Sequence, residues 1–137
     1  MKKILYLTYY FEPDLCAGSF RNSTLVKELA RQVKGYAQVH LLTTSPNRYA
    51  TFKEEAKPLE VFDNLKIQRI QPPSHTSGFI DQIKAYKTYF FEVIRLTKDE
   101  KYDLVIASSG RLLTGYLAYR IAMKKSAILY IDVRDIF

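Results

Sequence analysis

The chain has 137 residues, 47% of them hydrophobic and 26% charged, with a formal net charge of +7. That is enough length for one domain with a genuine core, and the apolar content argues against disorder. No apolar run approaches the roughly 20 residues that span a bilayer. Cys16 is the only cysteine, which excludes an internal disulfide and a cysteine-based metal site, and the two histidines argue against a histidine-rich metal centre. A nucleophilic Cys16 would need a base, and neither His40 nor His75 has an evident arrangement with it. The positive balance suits nucleic acid, anionic lipid or phosphorylated small molecules, and composition alone does not choose among them.

Periodicity orders the elements. Residues 3–9 read as a buried strand. The charged start before it superficially resembles a signal peptide, but the apolar stretch is too short and no small-residue cleavage site follows, so a cytoplasmic protein is expected. Residues 19–34 read as a helix closed by Gly35, a natural C-terminal cap. Residues 37–43 form the second strand, and 45–63, with Pro46 and Pro58, a polar connection. Residues 65–70 alternate as the third strand, and Pro72-Pro73-Ser74 breaks the chain. A long helix covers about 78–99, a short buried strand 103–107, and a further helix 112–124, with Leu113, Tyr116, Leu117, Ile121 and Ala122 on or near one face. The last strand is 127–133. No internal repeat or low-complexity tract is present.

Strands alternating with helices predict an α/β fold: a Rossmann-like, doubly wound parallel sheet with helices on both faces. The near-continuous apolar strands fit burial on both sides. The natural strand order, 3-2-1-4-5, opens a ligand crevice beyond the carboxyl ends of strands one and four. Three segments should meet there: Glu12 to Arg21, Ser108-Ser109-Gly110-Arg111, and Arg134-Asp135. Gly18 lets the backbone turn tightly and approach a ligand without a Cβ in the way. Ser19 or Asn22 can cap the helix that follows. The free amides at its start favour an anion such as phosphate, and Arg21 can add a bidentate contact. Gly and Ser are also ordinary turn and cap residues. Arg134 and Asp135 either pair with each other or the loop backbone, or line the pocket, one binding hydroxyls or phosphate and the other accepting hydrogen bonds. Neither GxGxxG nor GxxxxGK[ST] occurs, so the dinucleotide fingerprint and the P-loop are both absent.

Three passages in order carry a resemblance over essentially the whole chain. "YYFEPDLCAGSFR", "YDLVIASSG" and "ILYIDVRDIF" are similar to the first-strand turn, fourth strand and Arg-Asp motif of the N-terminal domain of family 4-like glycosyltransferases. Those enzymes have the two-Rossmann-domain (GT-B) architecture, and the look is nearest to enzymes that build capsule, O-antigen or other surface polysaccharides. The resemblance implies transfer of a sugar from a nucleotide-sugar to a glycan or lipid-linked acceptor, generally with retention of configuration and without a metal or other cofactor. It implies that residues 1–137 are the acceptor-side domain and that the donor-binding C-terminal domain lies outside this chain, so the isolated chain is expected to be inactive. Gly18, Ser19 and Arg21 would reach the donor's phosphates. Glu12, Asp14, Ser108, Ser109 and Gly110 would line the acceptor cleft. Arg134 and Asp135 would be the catalytic pair, although many relatives carry His where Arg134 aligns. Gly110 also stands where close relatives often have Pro.

The helix at residues 79–98 interleaves Ile80, Ile83, Tyr86, Phe90, Phe91 and Ile94 with Lys84, Lys87, Arg95 and Lys98. One reading is a core face with solvated charges. The other is a face that meets an anionic membrane on the inner side of the cytoplasmic membrane. Phe90 and Phe91 are adjacent, so both cannot face the core directly. Two other classes remain at this stage: a non-catalytic, membrane-associated subunit of a split glycosyltransferase, and a basic nucleic-acid-binding module. The second has no recognised motif, so nucleic acid is not the expected partner.

Overall fold

The computed structural model describes residues 1–46, 55–73, 78–108 and 112–134. In chain order the elements are β1 (Lys2–Leu7), α1 (Ala17–Gln32), β2 (Ala37–Thr44), β3 (Leu59–Phe62), β4 (Leu65–Ile70), α2 (Phe79–Thr97), β5 (Leu104–Ser108), α3 (Leu112–Lys125) and β6 (Ile128–Asp132). The strands form one sheet in the order β3-β4-β2-β1-β5-β6. Every neighbouring pair is parallel except β3 with β4.

The period-2 alternation of side chains explains the two cores. Ile4 and Tyr6 of β1 point to the same face as Val39, Leu41, Ile67 and Ile106, where Val26 and Ala30 of α1 close the layer. Leu5 and Leu7 point the other way, against Tyr86, Tyr89 and Val93 of α2 and Leu117 and Ile121 of α3. From β1 the sheet grows through β2 and β4 to β3 in one direction, and through β5 to β6 in the other. Tyr89 is fully buried, and its hydroxyl donates to the Leu42 carbonyl at 2.9 Å, so the large ring enters the core with its polar end satisfied.

The expected Rossmann-like sheet and its strand order are present, with local differences. The connection predicted at 45–63 contains a strand. β3 is short and mostly exposed, pairs antiparallel to β4, and carries its alternation over only four residues, too few for the pattern to stand out from a polar loop. Residues 47–54 of that connection lie outside the described residues. α1 begins at Ala17, and neither Ser19 nor Asn22 caps it; the cap position is Cys16, which makes no side-chain cap bond. At the other end the helix closes on Val33, and Gly35 takes a φ of +89° two residues later, where only glycine is unstrained.

Helices lie on both faces, but coverage is incomplete. Tyr130, 60% exposed, and Ile128 lie on the α1 side of β6, where none of the described helices covers them. On α3, Leu117, Ile121 and Ala122 are buried as expected, whereas Leu113 and Tyr116 face outward. Phe90 is partly buried against the core and Phe91 is exposed, as their adjacency requires.

Candidate anion site at the carboxyl edge of the sheet

β1 and β5 are neighbours, and both chains leave the sheet at the same edge, where β1 hands over to α1 and β5 to α3. The segment between β1 and α1 is held by a line of hydrogen bonds. The Tyr6 hydroxyl donates to Asn22 Oδ1 (2.8 Å), Asn22 Nδ2 donates to Thr8 Oγ1 (3.0 Å) and to the Gly18 carbonyl (2.8 Å), and Thr8 Oγ1 donates to the Tyr10 carbonyl (3.0 Å). Asn22 is buried and thus spends its amide tying the first turn of α1 to the end of β1, instead of capping the helix. Thr43 and Thr44 hold the Tyr9 carbonyl from the side of β2.

The first turn of α1 is electropositive. It has no cap side chain and no acidic residue, and an uncapped helix start leaves its first N–H groups without partners in the helix. Arg134 stands directly over it: a Cβ built on Gly18 would be 2.7 Å from Arg134 Nη1. Glycine here makes room for the guanidinium, a role distinct from conformational freedom, since its backbone is ordinary for a helix. Within this turn Ser19 Oγ is buried, and at the end of β5 Ser108 Oγ is buried; neither finds a hydrogen-bond partner among the described residues. Buried hydroxyls without partners are uncommon and each carries a desolvation cost of about 1–3 kcal/mol.

Arg21 is already engaged. Its guanidinium makes a bidentate pair with the Asp132 carboxylate at the end of β6, with Nη2 at 2.9 and 3.0 Å and Nε at 3.2 Å. The pair staples α1 to β6 across the open side of the sheet. The charges of this corner register on Tyr6, whose pKa is pushed up to about 12. Burial is the main cause, Asp132 reinforces it, and Arg21 and Arg134 oppose it.

The predicted residues therefore separate. Gly18, Ser19 and Arg134 come together at the start of α1, with Arg21 adjacent but bound to Asp132. Ser108 ends the neighbouring strand. Asp14 is buried beneath the loop. Glu12 is turned away toward the flank of α1, where its carboxylate meets Lys27 Nζ at 2.7 Å and its amide donates to Ser23 Oγ. Its carbonyl accepts from Arg69 Nη2 (3.1 Å). Ser109, Gly110 and Asp135 lie outside the described residues. Asp132 and Arg69 had no part in the expected site, and Asn22 entered it only as a candidate cap. A carboxylate closing an apolar strand was the available signal for Asp132. Arg69, set in an alternating strand, had none: its side chain is almost wholly buried and binds the Lys57 carbonyl, the Glu12 carbonyl and Glu60. Among the described residues no three His, Cys, Asp or Glu side chains gather as a metal ion would require.

This arrangement defines an α/β domain with an electropositive corner, a candidate anion site, at its topological switch point. No family model matches the chain, and no curated protein matches its sequence. Solved structures do match its fold. A sucrose-phosphate synthase from Thermosynechococcus elongatus superposes with a TM-score of 0.61 at 12% identity over 96% of this chain. The match takes up 32% of the synthase, so the chain spans about a third of that protein's length. The C-terminal domain (residues 78–226) of a hydrogenase from Pyrococcus furiosus superposes with a TM-score of 0.57 at 13% identity, over 96% of this chain and 91% of that one. At such identities the likeness is one of fold, and two proteins so different in name show how little the fold alone says about chemistry.

Proposed function

We propose that the chain is the acceptor-side domain of a GT-B glycosyltransferase of the family 4-like, surface-polysaccharide type, acting with a donor-binding domain outside this chain. The observation that carries the reading is the uncapped start of α1, with Arg134 seated on Gly18. The three sequence passages and the fold likeness to an enzyme named for making a phosphorylated disaccharide support it.

In the proposed reaction the bond between the donor sugar and its nucleoside diphosphate breaks, and the acceptor oxygen forms the new glycosidic bond. The acceptor gives up its proton and the diphosphate leaves with the bonding pair. Negative charge grows on the departing diphosphate. Backbone N–H groups and a guanidinium already aimed at that position stabilise it without reorganising. Arg134 serves as the charge-stabilising catalytic residue, the backbone N–H groups of Gly18 and Ser19 bind phosphate oxygens, and Arg21 holds α1 in place through Asp132. The resemblance places retention of configuration and a growing surface glycan, lipid-linked or otherwise, in the same reading.

Saturation-transfer NMR with a panel of nucleotide sugars tests it. Protons of the sugar next to the diphosphate should receive magnetisation while nucleobase protons stay silent, because the nucleobase belongs to the other domain. Arg134→Ala should remove the effect. Contact through the nucleobase, or none that Arg134 governs, would overturn the assignment.

A further inference from the structure

α2 and α3 diverge at the same carboxyl edge of the sheet and leave an open groove of about 570 Å³ between them. Its walls are Phe79, Ile83, Phe90 and Phe91 on one helix and Leu113 and Tyr116 on the other. Leu112 at the start of α3 is 85% exposed and Phe91 57%. Scattered exposed apolar residues are ordinary, but a contiguous patch across two helices marks a surface that meets something. Cations frame it. Lys87 Nζ lies 5.9 Å from the centre of the Phe91 ring, and the Arg120 guanidinium 5.9 Å from that of Phe90. Lys84 is exposed one turn before Lys87, and Lys124 one turn after Arg120. Of the acidic residues of α2, Glu92 is neutralised by Arg95, and Asp81 sits in the first turn, where the helix dipole favours it.

We infer that this α2–α3 face docks on an anionic lipid bilayer, with the aromatic and aliphatic side chains entering the interfacial layer and Lys84, Lys87 and Arg120 against the headgroups. The charge decides between occupants. Two copies meeting through this face would set like charges against each other, whereas anionic headgroups complement them. Among the described residues no helix is long and apolar enough to cross a membrane, so the contact is one of surface insertion. Because both helices begin at the carboxyl edge, docking here holds the corner at α1 close to the bilayer plane. The inference rests on this surface and is independent of the diphosphate reading.

Vesicle co-sedimentation tests it, with phosphatidylcholine vesicles containing about a quarter phosphatidylglycerol compared with phosphatidylcholine alone. The chain should pellet with the anionic vesicles only, and should be released when salt shortens the Debye length to about 3 Å. The exposed-site variant Phe91→Ser/Leu112→Ser should bind about tenfold or more weakly through lost apolar insertion, and Lys84→Glu/Lys87→Glu should lose the preference for anionic lipid. Circular dichroism checks that each variant keeps its fold. Failure to bind anionic vesicles, or binding that both variants retain, would overturn the inference. So would a dimer in solution that the Phe91/Leu112 variant abolishes, since the occupant would then be a second copy. Arg134→Ala should leave vesicle binding unchanged, so the two proposals fail separately.

Discussion

Replacing Gly18 by alanine should stabilise the fold and weaken anion binding together. The added Cβ meets only the far end of the Arg134 side chain, at 2.7 Å from Nη1, and a flexible guanidinium can step aside at little cost. Alanine is the better helix former, by about 0.5–1 kcal/mol in a helix interior. In the first turn about half that gain is a reasonable expectation, which for a chain of 137 residues raises Tm by about 2 °C. The displaced guanidinium no longer stands over the helix start, and one charge-assisted hydrogen bond to a bound anion is worth about 1.5–3 kcal/mol. Affinity for inorganic pyrophosphate should therefore fall about tenfold or more. Thermal unfolding followed by circular dichroism reads the first quantity and titration calorimetry the second. Arg134→Ala should reproduce the loss of affinity without the gain in stability. The double variant should bind no worse than either single one, because both act on one guanidinium. A fall in Tm of several degrees would mean that the space over Gly18 is rigidly filled. Unchanged pyrophosphate affinity in Gly18→Ala and Arg134→Ala would remove Arg134 from the site.

Two predictions concern the frame around the site. Arg69→Met should destabilise by about 3 kcal/mol in chemical denaturation, because it strands Glu60 and the carbonyls of Lys57 and Glu12 beside a buried position; a loss under about 1 kcal/mol would show that water replaces the guanidinium easily. His40 is buried between the Tyr102 hydroxyl (2.7 Å) and Gln68 Oε1 (3.1 Å), and burial holds its pKa below the usual value of 6.5. The unfolded chain therefore takes up a proton that the folded chain refuses. Stability from this group is complete above pH 6.5 and is lost as pH falls from there toward the lower folded value. The slope can reach about 1.4 kcal/mol per pH unit. His40→Gln should flatten the denaturation midpoint between about pH 6.5 and 5, above the range where carboxylates take up protons; an unchanged slope would place the titration elsewhere.

Stability and site geometry meet at the Arg21–Asp132 pair. Half of the Arg21 side chain is exposed, so the pair contributes little to stability in water. Its value is positional: it holds the start of α1 against the last strand, so that Arg134, two residues beyond Asp132, arrives over Gly18.

The sequence determined by itself whatever depends on near neighbours in the chain. Short apolar or alternating stretches bounded by turns marked β1, β2, β4, β5 and β6, helical spacing marked α1, α2 and α3, and their alternation sufficed for a parallel doubly wound sheet and its switch point. β3 escaped because four residues carry too little periodicity. The tertiary structure alone decided which polar groups are spent on the fold and which remain for a ligand. Arg21 and Asp132 are 111 positions apart, and nothing local to either announces the other. Glu12 looked like a cleft carboxylate until Lys27, nearly three turns into α1, claimed it. Asn22 looked like a cap until the β1 hydroxyls met it. The face shared by α2 and α3 is of the same kind. Each helix shows its apolar residues to the reader of the sequence, but only packing divides them into those that the sheet buries and those, such as Phe91 and Leu112, that it leaves for another surface. A side chain's period sets its direction, and what stands in that direction is set by chain segments far away in sequence.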